Sequence, residues 1–158
     1  MRLWHEYLIP FLDNKRLIGQ HRECCALRGK GWGKKHSTVD YVFEHHVVNL
    51  IQYHLLVINE CIHRGFKIDR QWMDMHYRGK NTEPISESEL DGSVYMKHLN
   101  MHALLNEKSD IYDVNYIYEE HNPRYLMECV TNLKNKNAEL INGASLDEII
   151  LKLQLMGY

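Results

Sequence analysis

The chain of 158 residues is 44% hydrophobic and 25% charged with a formal net charge of −2, values typical of a single-domain globular protein. They exclude collagenous, low-complexity and disordered acidic proteins, and no apolar run approaches the roughly 20 residues that a membrane-spanning helix needs. Because the N-terminus lacks a signal-peptide pattern and the four cysteines have no Cys-x-x-Cys spacing, we expect a cytoplasmic protein with reduced thiols that does not bind a membrane.

The first helix is predicted over residues 15–28, where apolar side chains recur at helical spacing. Asp13 or Asn14 is expected to cap its start, and Gly29 is expected to end it. Residues 29–38 contain three alternating glycines, which predict an irregular loop that lets another backbone or a ligand approach closely.

The strongest apolar periodicity predicts a second helix over residues 45–64, with Gly65 in the left-handed conformation at its end. An irregular connection is expected to follow over residues 66–78. Ser145 and Glu148 have the spacing of a capping box at the start of a terminal helix. Further helices are predicted over residues 86–107, 110–120, 123–136 and 146–155. No segment shows the sustained alternation of a strand, so the sequence predicts an all-α fold.

Basic side chains are concentrated at the start of the chain. Residues 1–36 carry eight basic and three acidic side chains, a net +5, whereas the remaining 122 residues carry 11 and 18, a net −7. A basic segment on an acidic body is typical of a binding site for a polyanion. A solvated basic surface without a ligand gives the same pattern, so charge alone leaves both interpretations open.

The N-terminus and the dipeptide Arg22-Glu23 form the first candidate site. An α-amino group has a pKa of about 7.7–8.0, so that part of it is the neutral amine at neutral pH. Such an amine can attack a sugar C1′ and form an imine, which divides a difficult displacement into easier steps. A nearby carboxylate such as Glu23 can move protons and stabilise positive charge on the sugar. A surface ion pair is the alternative interpretation of this dipeptide.

Histidines form the second candidate site, because the chain has 11 of them. His45 and His46 are adjacent, and His98 and His102 lie four residues apart, which places two imidazoles on one helix face as metal ligands require. The chain has neither a His-Glu-x-x-His motif nor the zinc-deaminase signature. We therefore expect packing or capping roles for these histidines and chemistry without a metal or other cofactor.

The glycine-rich loop is the third candidate site. Lys30, Lys34 and Lys35 surround Trp32, and this combination of charge and aromatic surface suits contact with a phosphate backbone and stacking on a base. The loop has no Walker pattern. Packing of Trp32 into the core, with the lysines in solvent, is the alternative interpretation.

Several stretches of the first half resemble the pyrimidine-dimer DNA glycosylase family. They are Met1-Arg2-Leu3, Leu17-Ile18-Gly19-Gln20-His21-Arg22-Glu23 and Asn59-Glu60-Cys61-Ile62-His63-Arg64-Gly65-Phe66-Lys67-Ile68. The run from Gly19 to His36 resembles a bacterial branch of that family. The likeness covers residues 1–80, so we expect one domain over residues 1–158, with a family-like catalytic part at 1–80 and a helical C-terminal part at 81–158.

The resemblance implies a compact all-α DNA-repair enzyme that kinks DNA, turns a nucleotide out of the stack and cleaves its glycosidic bond. It implies that the α-amine of Met1 is the nucleophile, that Glu23 is the essential carboxylate, and that β-elimination follows at the abasic site. Arg2 and Arg22 match family arginines that hold phosphates, and His21 stands where a tyrosine is found. The implied partner is double-stranded damaged DNA, carrying pyrimidine dimers or a related lesion. Separately, we expect the protein to be a monomer.

Two positions depart from the family pattern. Met1 is expected to be retained as the first residue, because Arg2 is too bulky for the usual removal of methionine. Ala26 stands where the family has an arginine, and Arg28 is the expected substitute. The expected DNA-binding side chains are Arg2, His21, Arg22, Arg28, Lys30, Trp32, Lys34 and Lys35. A non-catalytic nucleic-acid-binding module and a histidine-dependent metallo-phosphoesterase are the alternative functions.

Overall fold

A computed structural model describes residues 1–90 and 116–158, and these residues form α-helices and 3₁₀-helices without a strand, which confirms the expected all-α class. The α-helices are α1 (Asn14–Arg28), α2 (Val47–His63), α3 (Glu87–Leu90), α4 (Pro123–Asn135) and α5 (Leu146–Leu155). The 3₁₀-helices are Glu6–Phe11, Asp40–Glu44 and Arg70–Met73. No α-helix in these two described ranges is long and apolar enough to cross a membrane.

The predicted capping residues set the ends of the helices. The Asp13 carboxylate accepts a hydrogen bond from the Arg16 N–H at 3.0 Å and begins α1, and Gly29 follows its last residue. Ser145 accepts from the Glu148 N–H at 3.4 Å at the start of α5. Gly65 has a φ of +85° just after α2, in the left-handed region that glycine adopts without strain.

The helix predicted over residues 110–120 is wrong in its described part. Residues 116–120 form bends and turns rather than a helix. The buried Glu6 carboxylate accepts the N–H groups of Ile117 at 3.0 Å and Tyr118 at 3.2 Å, and these bonds hold the segment against the N-terminal 3₁₀-helix. Of the helix predicted over residues 86–107, α3 is observed, and residues 91–107 and 110–115 lie outside the described ranges.

The main core lies between α1 and α2, which pack side by side, and α4 and α5 cover it from the other half of the chain. Apolar side chains from the N-terminal 3₁₀-helix complete this core. Burial of this apolar surface provides the main stabilisation of the fold. A smaller cluster packs α3 and Ile85 against the opposite face of α2.

Helix α4 also fixes the first residues of the chain. The Arg2 guanidinium donates to the Glu128 carboxylate at 3.0 Å, and the Tyr125 hydroxyl donates to the Leu3 carbonyl. Arg2 lies 5.9 Å from the ring centroids of both Trp4 and Tyr125. These contacts order the backbone directly after Met1, so residues from the second half of the chain help to place the N-terminus.

Candidate active site

The first residue lies against the C-terminal end of the glycine-rich loop, residues 29–38. The Met1 side chain is partly exposed, and the Met1 carbonyl accepts a hydrogen bond from the Thr38 hydroxyl. His36 Nδ1 lies 2.9 Å from the same hydroxyl, and because the hydroxyl proton goes to Met1, this ring nitrogen is the donor. The residue that carries the terminal amine is therefore held at the edge of this loop.

Gln20 joins α1 to the N-terminal segment. Its side chain is buried, and its Nε2 donates to the Arg2 carbonyl and to Glu23 Oε2, both at 3.0 Å. Its Oε1 accepts from the Trp4 N–H at 2.7 Å and lies 2.9 Å from the Tyr53 hydroxyl, whose proton has a nearer acceptor in the Trp4 carbonyl at 2.6 Å. These contacts fix the orientation of the amide and that of Glu23.

Glu23 lies in an environment that shifts its pKa in two directions. Partial burial raises the pKa above the ordinary value of 4.5 and is the largest effect. The positive charge of the N-terminal amine, a hydrogen bond from the Arg2 backbone, the Gln20 amide and the charge of His36 each lower it in part. The Glu23 carboxyl therefore lies beside the backbone of Arg2, to which the Gln20 amide connects it.

A groove of about 440 Å³ opens beside Met1. Its walls are the C-terminal end of α1, the glycine-rich loop and the turn formed by residues 78–82. The basic side chains that line it are Lys30, Lys34, Arg78 and Lys80. None of the described residues that line it is acidic, so its lining is positively charged at neutral pH.

The glycines of the loop permit close backbone approaches, as their spacing predicted. A Cβ at Gly29 would lie 3.0 Å from the Arg78 carbonyl oxygen, and a Cβ at Gly31 would lie 2.6 Å from the Ala26 carbonyl oxygen. Contacts as short as the second are incompatible with a side chain unless the backbone shifts. The loop therefore folds back tightly on the end of α1 and against the turn at Arg78.

The position of Arg28 does not fit the expectation that it holds a phosphate, because its side chain is 0% exposed. Its guanidinium donates to the carbonyls of Trp72 at 2.7 Å and Asp74 at 2.9 Å and to the carbonyl of Tyr77. Burial lowers its pKa to about 10. Arg28 instead holds residues 72–77 against the end of α1.

His21, Cys25 and His54 form a polar cluster next to Arg28. His54 Nδ1 lies 3.1 Å from Arg28 Nη1, and since a guanidinium only donates, this nitrogen accepts and Nε2 carries the proton. His54 Nε2 then donates to His21 Nδ1 at 2.8 Å. Burial, together with the nearby arginine charges, lowers the pKa of both histidines.

The same cluster has the residue types of a metal site, since its nitrogen and sulfur atoms all lie within 4.8 Å of one another. Because Arg28 donates to the Nδ1 of His54, the neutral ring carries its proton on Nε2. A metal could bind this nitrogen only after the proton is lost. Burial also raises the pKa of the Cys25 thiol to about 12, so the sulfur is not readily available as a thiolate ligand. These contacts favour a hydrogen-bonded chain over a metal centre.

The remaining expected DNA-binding side chains differ in exposure. Arg22 and Lys35 are exposed, whereas Arg2 is largely covered and paired with Glu128. Trp32 is half-buried, with its ring edge-on to Phe43 at 5.0 Å and packed against the core clusters. Much of the Trp32 side chain thus packs against the core, as the alternative interpretation expected. His98 and His102 lie outside the described residues.

Sequence reasoning missed several residues that shape the site. Gln20, His36 and Thr38 hold Met1 and Glu23, and Arg78 and Lys80 line the groove. Gln20 alone gave a usable signal, because it is a polar residue one helical turn before Glu23. The partners of Thr38 and Arg78 are distant in the chain and leave no local pattern.

The comparisons with known proteins concern the first half of the chain. No curated protein and no solved structure gives a significant match. The family model of the pyrimidine dimer DNA glycosylases matches residues 1–74, a segment that contains Met1, Glu23 and the glycine-rich loop and ends before the 78–82 turn. The match confirms the resemblance that the motifs carry and supports a DNA-repair glycosylase, so this first half is similar to the pyrimidine dimer DNA glycosylases.

Proposed function

We propose that the protein is a DNA glycosylase with abasic-site lyase activity, acting on damaged double-stranded DNA through the N-terminal amine of Met1. The observation that carries this proposal is that the Gln20 amide joins the Glu23 carboxylate to the backbone of Arg2, directly after Met1, while Met1 itself lines a basic groove. The family match over residues 1–74 supports glycosylase chemistry in general, and the amine mechanism is our extension of it.

In the proposed reaction, the lone pair of the neutral amine attacks C1′ of the damaged nucleotide. The glycosidic bond breaks, its electron pair leaves with the base, and the base takes up a proton. The C1′–O4′ bond then breaks as the sugar ring opens, the remaining nitrogen proton passes to O4′, and an imine forms between the amine nitrogen and C1′. Removal of a C2′ proton allows β-elimination of the 3′ phosphate, and water releases the enzyme.

Glu23 has two tasks in this scheme. Its carboxylate stabilises the positive charge that develops on the sugar and the iminium, and it accepts or returns the protons of the amine. Gln20 supports both tasks, because its amide donates to the Glu23 carboxylate and to the backbone of Arg2. The residues that carry the chemistry are then Met1 and Glu23, and no metal takes part.

The basic side chains near Met1 provide the proposed binding surface. Lys30 and Lys34 line the groove, and Arg22 on α1 and Lys35 on the loop are exposed. Contacts of this kind to phosphates make binding strongly dependent on salt. A damaged base pair is the natural substrate, because turning a nucleotide out of the stack costs least where pairing is already weakened. A pyrimidine dimer or a related lesion meets this condition.

The proposal is tested by borohydride trapping on untagged protein and a duplex with one abasic site. We expect a covalent protein–DNA adduct that forms equally well with a chelator present, since borohydride reduces the imine to a stable amine. If no adduct forms while DNA binding is intact, the result would indicate a non-catalytic nucleic-acid-binding module. Strand cleavage that a chelator abolishes would indicate a metallo-phosphoesterase instead.

A further inference from the structure

The groove beside Met1 has a second basic wall that the family match does not include. The match ends at residue 74, whereas the turn formed by residues 78–82 lines the groove together with the glycine-rich loop. Arg78 and Lys80 face the groove from this turn, and Lys80 is exposed. Lys30 and Lys34 approach the same space from the loop.

The turn is held in place by partly buried hydrogen bonds. The Arg78 Nε donates to the Arg28 carbonyl at 2.7 Å, and the Arg78 carbonyl lies against Gly29, where a Cβ would be only 3.0 Å away. The buried Arg28 guanidinium binds the carbonyls of Trp72 and Tyr77 just before the turn. The two walls are therefore fixed relative to each other at the end of α1, without any need for a ligand to order them.

We propose that the 78–82 turn binds the DNA backbone, with Lys80 and Arg78 contacting phosphates of the strand whose sugar reaches Met1. Four cations converge on the groove, and the described residues that line it include no acid to neutralise them. A phosphodiester chain is a ligand that places several negative charges along a narrow groove. Arg28 is then a positioning residue for this wall rather than a phosphate ligand.

The proposal takes DNA as the ligand from the proposed function, but it concerns binding and not catalysis. It is tested by measuring the affinity of the full chain for a short duplex with one tetrahydrofuran abasic analogue over a series of salt concentrations. Lys80→Ala is the test variant, and Lys136→Ala is the matched control, because Lys136 is an exposed lysine at the end of α4, outside the groove. Lys34→Ala provides the reference for the wall that the glycine-rich loop forms.

We expect Lys80→Ala to weaken binding several-fold at low salt and to reduce the slope of log affinity against log salt by about 0.9, the value for one phosphate contact. Lys34→Ala should behave similarly, and Lys136→Ala should match the unmodified protein. An unchanged slope for Lys80→Ala, with a reduced slope for Lys34→Ala, would overturn the proposal. This readout needs no imine. A failure of borohydride trapping would therefore contradict the proposed function but not the proposal that the 78–82 turn binds DNA.

Discussion

Gln20 Nε2 lies 3.0 Å from Glu23 Oε2, and the same nitrogen donates to the Arg2 carbonyl next to the terminal amine. One buried side chain thus connects the candidate carboxylate on α1 with the backbone that carries the candidate nucleophile. Its Oε1 accepts from the Trp4 N–H and packs against the buried Tyr53 hydroxyl, which anchors the connection in the core. The geometry of the site therefore depends on a residue that takes no part in the chemistry.

Replacement of Gln20 by alanine should affect both stability and turnover. It leaves the buried Trp4 N–H without its acceptor, whereas the Tyr53 hydroxyl keeps the Trp4 carbonyl, and the free energy of unfolding should fall by about 1–3 kcal/mol. Single-turnover lyase rates should also fall, because Glu23 and the backbone of Arg2 lose their common donor. Urea unfolding and gel assays measure the two effects. Gln154→Ala, an exposed glutamine on α5, is the control and should change neither.

Replacement of Glu23 by glutamine should separate binding from chemistry. The amide has the shape of the carboxyl and can still accept from Gln20, so the fold and DNA affinity should remain within about twofold. Turnover should fall by about 10²-fold or more, since the charge that stabilises the iminium is lost. Glu139→Gln, an exposed glutamate beyond α4, controls for general charge effects. Undiminished single-turnover rates in Glu23→Gln would remove Glu23 from its proposed role.

A pair of glycine substitutions tests the close approach of the loop to α1. Gly31→Ala places a Cβ 2.6 Å from the Ala26 carbonyl oxygen, so the loop must shift and the melting temperature should fall, with a loss of about 1–3 kcal/mol. Gly19→Ala is the matched control, because Gly19 lies inside α1 with no atom within 4 Å of the added Cβ. It should stabilise the protein by about 0.5–1 kcal/mol. Equal effects of the two substitutions would contradict the packing of the loop.

The depressed pKa of His54 predicts a loss of stability in acid. Below the ordinary pKa of 6.5 the unfolded chain takes up a proton at this residue, while the folded protein, with His54 buried beside Arg28 and His21, does not. The free energy of unfolding should therefore fall with falling pH, by up to about 1.4 kcal/mol per pH unit from this site. Urea unfolding at several pH values measures the slope.

The control for this prediction is a comparison of two histidine substitutions. His54→Gln keeps an acceptor for Arg28 but cannot titrate, so the slope below pH 6.5 should decrease. His63→Gln changes an exposed histidine at the end of α2 and should leave the slope as it is. An identical slope in all three proteins would show that His54 does not bear the acid sensitivity.

The sequence predicted the parts of the fold that local chemistry determines. Asp13 begins α1 and Gly65 follows α2 as expected, because capping depends on residues close in the chain. The 3₁₀-helix Glu6–Phe11 was not predicted, since it contains Pro10 and depends on packing against α2 and on contacts with residues 117–121. The bends at residues 116–120 have the same origin.

The site was predictable in its chemistry and only partly in its geometry. Glu23 was a candidate from its position in the basic segment and from the resemblance, and in the structure Gln20 joins it to the backbone of Arg2, directly after Met1. Arg28 illustrates what local sequence cannot show: a basic residue in a basic segment is expected in solvent, but its partners are backbone carbonyls of residues 72–77. Backbone acceptors are present at every residue, so no residue type in that segment marks them as partners of a guanidinium.

The most direct test of the account is to locate the nitrogen that borohydride reduction joins to the DNA. Lys30 and Lys34 line the same groove as Met1 and carry amines that form imines as well, so the trapped adduct can be assigned by proteolysis and mass spectrometry. The account predicts an adduct on the α-nitrogen of Met1 and its loss when that nitrogen is acetylated. An adduct on a lysine of the loop, or trapping that persists with a blocked N-terminus, would contradict it.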